Sequence, residues 1–269
     1  MAVNALTSPT DVAEAIAGVG ARTGLGTDIV ASAVASSADS VPRLGMSGWL
    51  ASGKDTVAEG VFERLGVTAA HLSFGAALKN ELNHVLELVH AASDERDART
   101  RAQDFLAATG EQIEILFDAM LPGDFYAARE RLVGLDARSR TPEVRAALQK
   151  LGTDIRRAQD DLYWVNQGLS AAIIEMAAGR PLYFTDCRFA NEAAGLQSIG
   201  IPVVRLEVSR DVQASRLFAR DGLELDPVAT SHPSETGLDD WDGFALVVDN
   251  NGTTDDAVRA VLAHMGWVA

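Results

Sequence analysis

From Pro42 onward the chain alternates short apolar runs with segments whose apolar residues recur every three or four positions. Arg43 to Ser47 reads as a strand entering a glycine-containing turn, and Lys54 to Leu65 as a helix with Val57, Val61 and Leu65 on one side. Further strands are predicted at His71 to Phe74, Pro181 to Asp186, Pro202 to Val208 and Phe244 to Asp249. Helical patterns follow at Asn191 to Ile199, Asp211 to Asp221 and Thr254 to Met265. Strands that alternate with helices predict an α/β fold, a mostly parallel sheet with flanking helices.

A long helical insert, about residues 76–178, separates the second strand from the third. In its last helix Leu148, Leu151, Ile155, Ala158, Leu162, Val165 and Leu169 fall on one stripe. Arg156, Asp160, Tyr163 and Gln167 fall opposite, as a solvated face or as the wall of a cleft. Residues 1–41 are rich in small residues and read as an N-terminal extension, mobile or loosely docked, with a short helix from Pro9 through Ala21 capped by Thr10 and Asp11.

The formal net charge of −15 and the absence of a basic stripe argue against a nucleic-acid surface, but leave room for a small anion held in one cationic cleft. No apolar run reaches the roughly 18 to 20 residues that cross a bilayer, so no membrane partner is expected. One cysteine, Cys187, cannot staple the chain, which fits a cytoplasmic setting.

The strongest motif is Gly48-Trp49-Leu50-Ala51-Ser52-Gly53-Lys54-Asp55-Thr56, with the spacing of a phosphate-binding loop between a strand and a helix. Glycines let backbone N–H groups converge on phosphate oxygens, the helix N-terminus adds partial positive charge, and Lys54 reaches the β- and γ-phosphates of a nucleotide. The hydroxyl residue usual after the lysine is replaced by Asp55, with Thr56 one place later. Either of these would meet Mg²⁺, and the spacing does not choose between them.

Asp186 and Arg188 follow the third predicted strand, where ligands of parallel sheets gather. Asp186 would orient the metal's water shell and Arg188 would grip phosphates. The alternative has Asp186 capping the next helix and pairing with Arg188. Cys187 between them reads as packing, since phosphoryl transfer needs no thiol. Arg216 and Arg220 lie one helical turn apart in a lid region, 209–237, whose stretch from Gly222 to Gly237 lacks apolar periodicity. Their alternative is surface pairing with Asp221 and Glu224. His232 reads as a turn residue, because no second ligand stands at metal spacing.

Taken in order, Ser52-Gly53-Lys54-Asp55-Thr56, Ser73-Phe74-Gly75-Ala76-Ala77-Leu78-Lys79, Leu151-Gly152-Thr153-Asp154 with Arg156, Tyr163-Trp164-Val165-Asn166, Asp186-x-Arg188-Phe189-x-Asn191-Glu192 and His232-Pro233-Ser234-Glu235 resemble the bacteriophage deoxynucleoside monophosphate kinases. The likeness runs from about Leu44 to the C-terminus and makes residues 42–269 one P-loop kinase domain. It implies ATP with Mg²⁺ as donor and a deoxynucleoside monophosphate as acceptor, in a host cytoplasm if the chain is phage-encoded. It places Gly48, Ser52, Gly53, Lys54, Asp55, Thr56 and Arg216 on ATP. Phe74, Lys79, Arg156, Tyr163, Trp164 and Arg188 fall on the acceptor, and Lys54, Asp186, Arg188, Arg216 and Arg220 in catalysis. Dephospho-coenzyme A kinase shares Gln213, Arg216 and Arg220, and a nucleotide-binding regulatory or packaging protein is the non-catalytic alternative. The oligomeric state, homodimer included, stays open.

Overall fold

The computed structural model describes residues 17–21, 23–35, 41–139, 141–226, 230–231 and 233–268, with Pro233 and Ser234 described in backbone only. The expected helix cap at Thr10 and Asp11, and His232, lie outside the described residues. The chain divides into two compact units, one of residues 1–74 and 165–269, the other of residues 75–164.

The first unit carries a five-stranded parallel sheet in the order β2-β3-β1-β4-β5. Its strands are β1 (Arg43–Gly48), β2 (Ala70–Leu72), β3 (Leu182–Phe184), β4 (Val203–Glu207) and β5 (Leu246–Asp249). The expected α/β class, with all five strand positions, is what the structure shows. Central β1 and β3 are buried almost throughout, while the edge strands β2 and β5 alternate in exposure. That is the pattern of a sheet covered on both faces at its centre.

Two-residue periodicity puts Leu44 and Met46 on one face of β1. They pack with Val57, Val61 and Phe62 of a helix at Lys54–Arg64 and with Val258, Val261 and Leu262 of the C-terminal helix at Thr254–Met265. Leu196, from a helix at Ala190–Ser198, lies over Gly45 on the other face. Each such apolar side chain contributes roughly 1.5–3 kcal/mol by leaving water.

In chain order the described helices are α1 (Thr27–Ala35), α2 (Lys54–Arg64), α3 (Phe74–Ala91), α4 (Glu95–Leu106), α5 (Gly110–Met120), α6 (Phe125–Arg131) and α7 (Pro142–Gln149). A π-helical segment (Lys150–Arg157) precedes α8 (Tyr163–Ala177), α9 (Ala190–Ser198), α10 (Arg210–Asp221), α11 (Pro233–Thr236) and α12 (Thr254–Met265).

The second unit is helical, and its core gathers Leu82, Val85, Leu106, Ile113, Leu116, Phe117, Leu132, Leu151 and Ile155. Its helices start where a short polar side chain can accept a backbone N–H: Asp94 before α4, Thr109 with Gln112 in a capping box before α5, Asp124 before α6 and Thr141 before α7.

The single long helix expected through Leu148 and Leu169 is a correction. It is three pieces: α7, the eight-residue π-helical segment and, after a break at 160–162, α8. Bonds from i to i+5 widen the turn, so the three- and four-residue spacing of an α-helical stripe no longer carries through it, although Leu151 and Ile155 still share the buried side. Ala158, expected on the buried stripe, is exposed, and Arg156, expected opposite, is buried.

Among the described residues of the N-terminal segment, 17–21 and α1 are helical, and Val19, Val30 and Ala33 are inaccessible to solvent, so these residues are packed. Deleting residues 1–40 is therefore expected to lower unfolding stability by about 3 kcal/mol or more, as buried apolar surface becomes wet. Thermal denaturation of the truncated chain measures this, and an unchanged melting temperature would restore the loosely docked reading.

Candidate functional site

The site is assembled at the carboxyl end of β1. Strand β1 connects onward to β2 on one side of the sheet, while its neighbour β4 connects to β5 on the other. This is the switch point where a parallel sheet opens a crevice for ligands. The loop from Gly48 to Gly53 fills that crevice and feeds directly into α2.

Two glycines are required by close approach. At Gly48, with φ 143°, a Cβ would lie 2.5 Å from the Leu206 carbonyl. At Gly53, with φ 94°, it would lie 2.8 Å from Asn250 Nδ2. Between them Ala51 holds φ 58°, a left-handed conformation costing an L-residue roughly 1–2 kcal/mol.

The carbonyls of this loop are pinned by side chains. Lys54 Nζ donates to Gly48 O at 2.7 Å and Trp49 O at 2.8 Å. Gln213 Nε2, fully buried on α10, donates to Leu50 O at 2.9 Å. Asn250 Nδ2 donates to Ser52 O at 2.8 Å, and Arg216 Nη1 reaches the same oxygen at 3.4 Å. In a trans peptide the N–H of the next residue points away from the carbonyl. Holding the oxygens of residues 48, 49, 50 and 52 therefore aims the N–H groups of Trp49, Leu50, Ala51 and Gly53 the other way. Ser52 is fully buried and its hydroxyl finds no hydrogen-bond partner among the described residues.

Lys54 sits in a crowd of charge. Burial, then the guanidinium of Arg188, push its ammonium down to about 8, Glu235 and Asp55 opposing them and Arg220 adding a smaller push. Arg188 Nη1 donates to Glu235 Oε1 at 2.6 Å, and its backbone N–H donates to Glu192 Oε2 at 2.8 Å. Arg220 pairs with Asp221, the surface pairing weighed from sequence, yet its charge still acts on Asp55. Arg216 donates to Asn250 O at 2.8 Å, so it braces the loop against β5.

Asp55 and Thr56 are exposed at the first turn of α2. Asp55 Oδ1 accepts the Thr185 hydroxyl, whose oxygen lies 2.9 Å from His71 Nε2. With its proton committed to Asp55, Thr185 can only accept from His71, which places a proton on Nε2. One carboxylate and one hydroxyl suit a Mg²⁺ that draws its other ligands from phosphates and water. Asp186 Oδ2 accepts from Ser73 Oγ at 2.6 Å and its Oδ1 from Phe74 N at 3.1 Å, so this carboxylate caps α3. Cys187 is buried, and burial with Glu192 and Asp186 nearby drives its thiol pKa well up, as suits packing.

Residues expected on the acceptor are mostly engaged elsewhere. Phe74 is buried, its ring 4.9 Å from that of Phe184. Trp164 is buried, with Nε1 donating to Gly152 O at 3.0 Å. In the second unit Arg156 Nε donates to Glu81 Oε2 at 2.7 Å and Nη1 to Leu106 O at 2.9 Å, while its guanidinium lies 4.8 Å from the Tyr163 ring centroid. The Tyr163 hydroxyl donates to Glu81 Oε1; burial and that carboxylate push its pKa up to about 12. Lys79 alone of this group is exposed.

Sequence reasoning gave no role to Asn250, Thr185 or Glu81, and placed Gln213 and Glu235 only within motifs of the resemblance. Asn250 carried a usable signal, since it follows a predicted strand as Asp186 does. Glu81 carried none, because its partners lie far along the chain.

No protein-family model and no curated protein matches the chain. Among solved structures it is similar to a gluconokinase from Sinorhizobium meliloti 1021, with 17% identity over 84% of this chain and 91% of that one and a TM-score of 0.39. It is also similar to TT1252 from Thermus thermophilus, with 19% identity over 86% and 100% of the two chains and a TM-score of 0.40. Neither likeness is close enough to carry a reaction to this chain.

Replacing Arg156 by Met strands the Glu81 charge in a mostly buried position, so stability should fall by about 3 kcal/mol. Denaturant unfolding measures the loss. A variant of normal stability would return Arg156 to the acceptor.

Proposed function

We propose that this chain is an ATP-dependent kinase that phosphorylates a small phosphorylated acceptor, a deoxynucleoside monophosphate. The observation that carries the reading is the convergence of outward-facing loop amides, Lys54, Arg188 and Arg220 at the sheet's switch point. A polyphosphate is the ligand that such a set of donors fits. The choice of a deoxynucleotide rests on the ordered resemblance of the insert and the 185–192 segment.

An acceptor phosphate oxygen attacks the γ-phosphorus, the bond from that phosphorus to the β–γ bridging oxygen breaks, and ADP leaves with the electron pair. The acceptor is already an anion and needs no strong base. The barrier is the gathering of negative charge. Lys54 and the loop N–H groups hold the donor, and Arg188 offers a planar fork that can hold oxygens of donor and acceptor together. Asp55 and Thr56 would hold Mg²⁺, which supplies further charge neutralisation when bound. Thr185 holds the Asp55 carboxylate by a hydrogen bond from its hydroxyl.

A coupled assay of ADP formation, run with each deoxynucleoside monophosphate, with dephospho-coenzyme A and without acceptor, tests the reading. Turnover only with deoxynucleotides supports it. Turnover with dephospho-coenzyme A alone, or none in any arm, overturns it.

Lys54→Ala should lower kcat at least roughly 100-fold while the protein stays folded. Arg188→Lys keeps the charge but loses the fork, and should lower kcat by roughly 100-fold with little change in ATP affinity. Near-normal kcat in either variant removes that residue from the reaction.

The depressed pKa of Lys54 gives a pH signature. Below about 8 the free protein already carries the ammonium that a triphosphate requires. Above it a proton must be taken up on binding, so ATP affinity should fall by up to about tenfold per pH unit. Titration calorimetry at pH 8.5 in buffers of different ionisation enthalpy reads that proton directly, and Lys54→Ala should abolish it.

A further inference from the structure

Glu235 stands where an anion belongs. Its Oε2 accepts the Leu50 N–H at 2.6 Å, one of the loop amides turned outward, and its Oε1 accepts Arg188 Nη1 at 2.6 Å. The carboxylate also favours the charged form of Lys54. Its side chain is only 11% exposed, so the charge has left water for these cationic partners. A buried carboxylate held in this way is stabilised by the same donors that would hold a phosphate oxygen.

The neighbouring chain positions this group. Glu235 lies on the one-turn α11, and Asp239 a few residues later accepts from Trp49 Nε1 at 3.1 Å. Asp239 is itself tied to Arg205, a buried guanidinium on β4 that also donates to Leu238 O at 3.1 Å. One end of the strap is thus anchored to the sheet. Glu235 reaches from it into the site and bonds to Leu50 of the loop and to Arg188 beyond β3.

We propose that Glu235 is a built-in phosphate surrogate, a positioning residue that keeps the Leu50 amide and Arg188 preorganised in the empty site and is displaced by the incoming polyphosphate. The proposal rests on the phosphate-binding reading above. Displacement costs binding affinity, because ligand competes with an internal anion. In exchange the ligand-free cluster of Lys54, Arg188 and Arg220 has a counter-charge, and departure of Glu235 links phosphate arrival to movement of the 233–239 strap.

The test is calorimetric titration of the full chain with inorganic tripolyphosphate, comparing wild type, Glu235→Gln and Glu114→Gln. The last removes an equal charge from the exposed face of α5. Glu235→Gln should bind about 10-fold more tightly than either of the others, with a lower melting temperature in the absence of ligand. The Leu50 amide resonance should shift in the free variant and move little further on binding. Equal or weaker binding by Glu235→Gln, with wild type binding normally, overturns the surrogate alone, as does a gain matched by Glu114→Gln. Failure of wild type to bind tripolyphosphate overturns the phosphate site and the surrogate together.

Discussion

The direction in which the loop carbonyls point governs everything else in the site. A backbone strand can present donors to an anion only if its oxygens are turned away and satisfied, since a buried carbonyl without a partner costs about as much as a lost hydrogen bond. Here Gln213, Asn250, Arg216 and Lys54 supply those partners from α10, the end of β5 and α2. Gly48 and Gly53 permit the approach because neither has a Cβ to meet Leu206 or Asn250. The strained Ala51 sits among these anchors, and strain of this kind persists only where surroundings fix it.

This arrangement divides the arginines into two kinds of work. Arg216 makes its hydrogen bonds to backbone carbonyls, so it shapes the cradle and its charge acts from behind the loop. Arg188 faces the Glu235 carboxylate rather than a carbonyl. Arg156 is held by Glu81 and the Leu106 carbonyl, and removing it would leave a buried charge. Sequence position alone does not separate these roles. All three arginines stand near motif residues, and only their partners tell them apart.

Much of the framework was legible because it depends on local pattern. The strands around Leu44, Phe184, Val204 and Val248 are short apolar runs bounded by turn residues, and α12 begins and ends where Thr254 and Met265 were expected. The tight turn from Gly48 to Gly53 was legible because glycine spacing and the lysine encode a local backbone path. What stayed hidden depends on distant pairing or on irregular geometry. Nothing within a few residues of Asp186 indicates that it caps α3 through Ser73, more than a hundred positions away. The π-helical segment at Lys150–Arg157 has good helical apolar spacing, so the wider turn was invisible and the side assigned to Arg156 was wrong. The burial of the Phe74 and Trp164 rings is likewise set by neighbours distant in sequence or across a turn, Phe184 for one and the Gly152 carbonyl for the other.

The charge balance of the chain follows from the same local logic. A net charge of −15 repels a polyanion at a distance, yet at physiological salt that repulsion fades over roughly 8 Å. Inside the crevice Lys54, Arg188 and Arg220 act on one another at closer range, in surroundings that screen charge less than water does. Concentrating cations there without counter-charge would destabilise the empty fold, and after burial it is the Arg188 charge that most depresses the Lys54 ammonium. Glu235, Asp55 and Asp221 relieve it, each beside one of the cations. An acidic protein can therefore hold an anion site, provided that the site's own carboxylates can yield to the ligand or turn toward a metal.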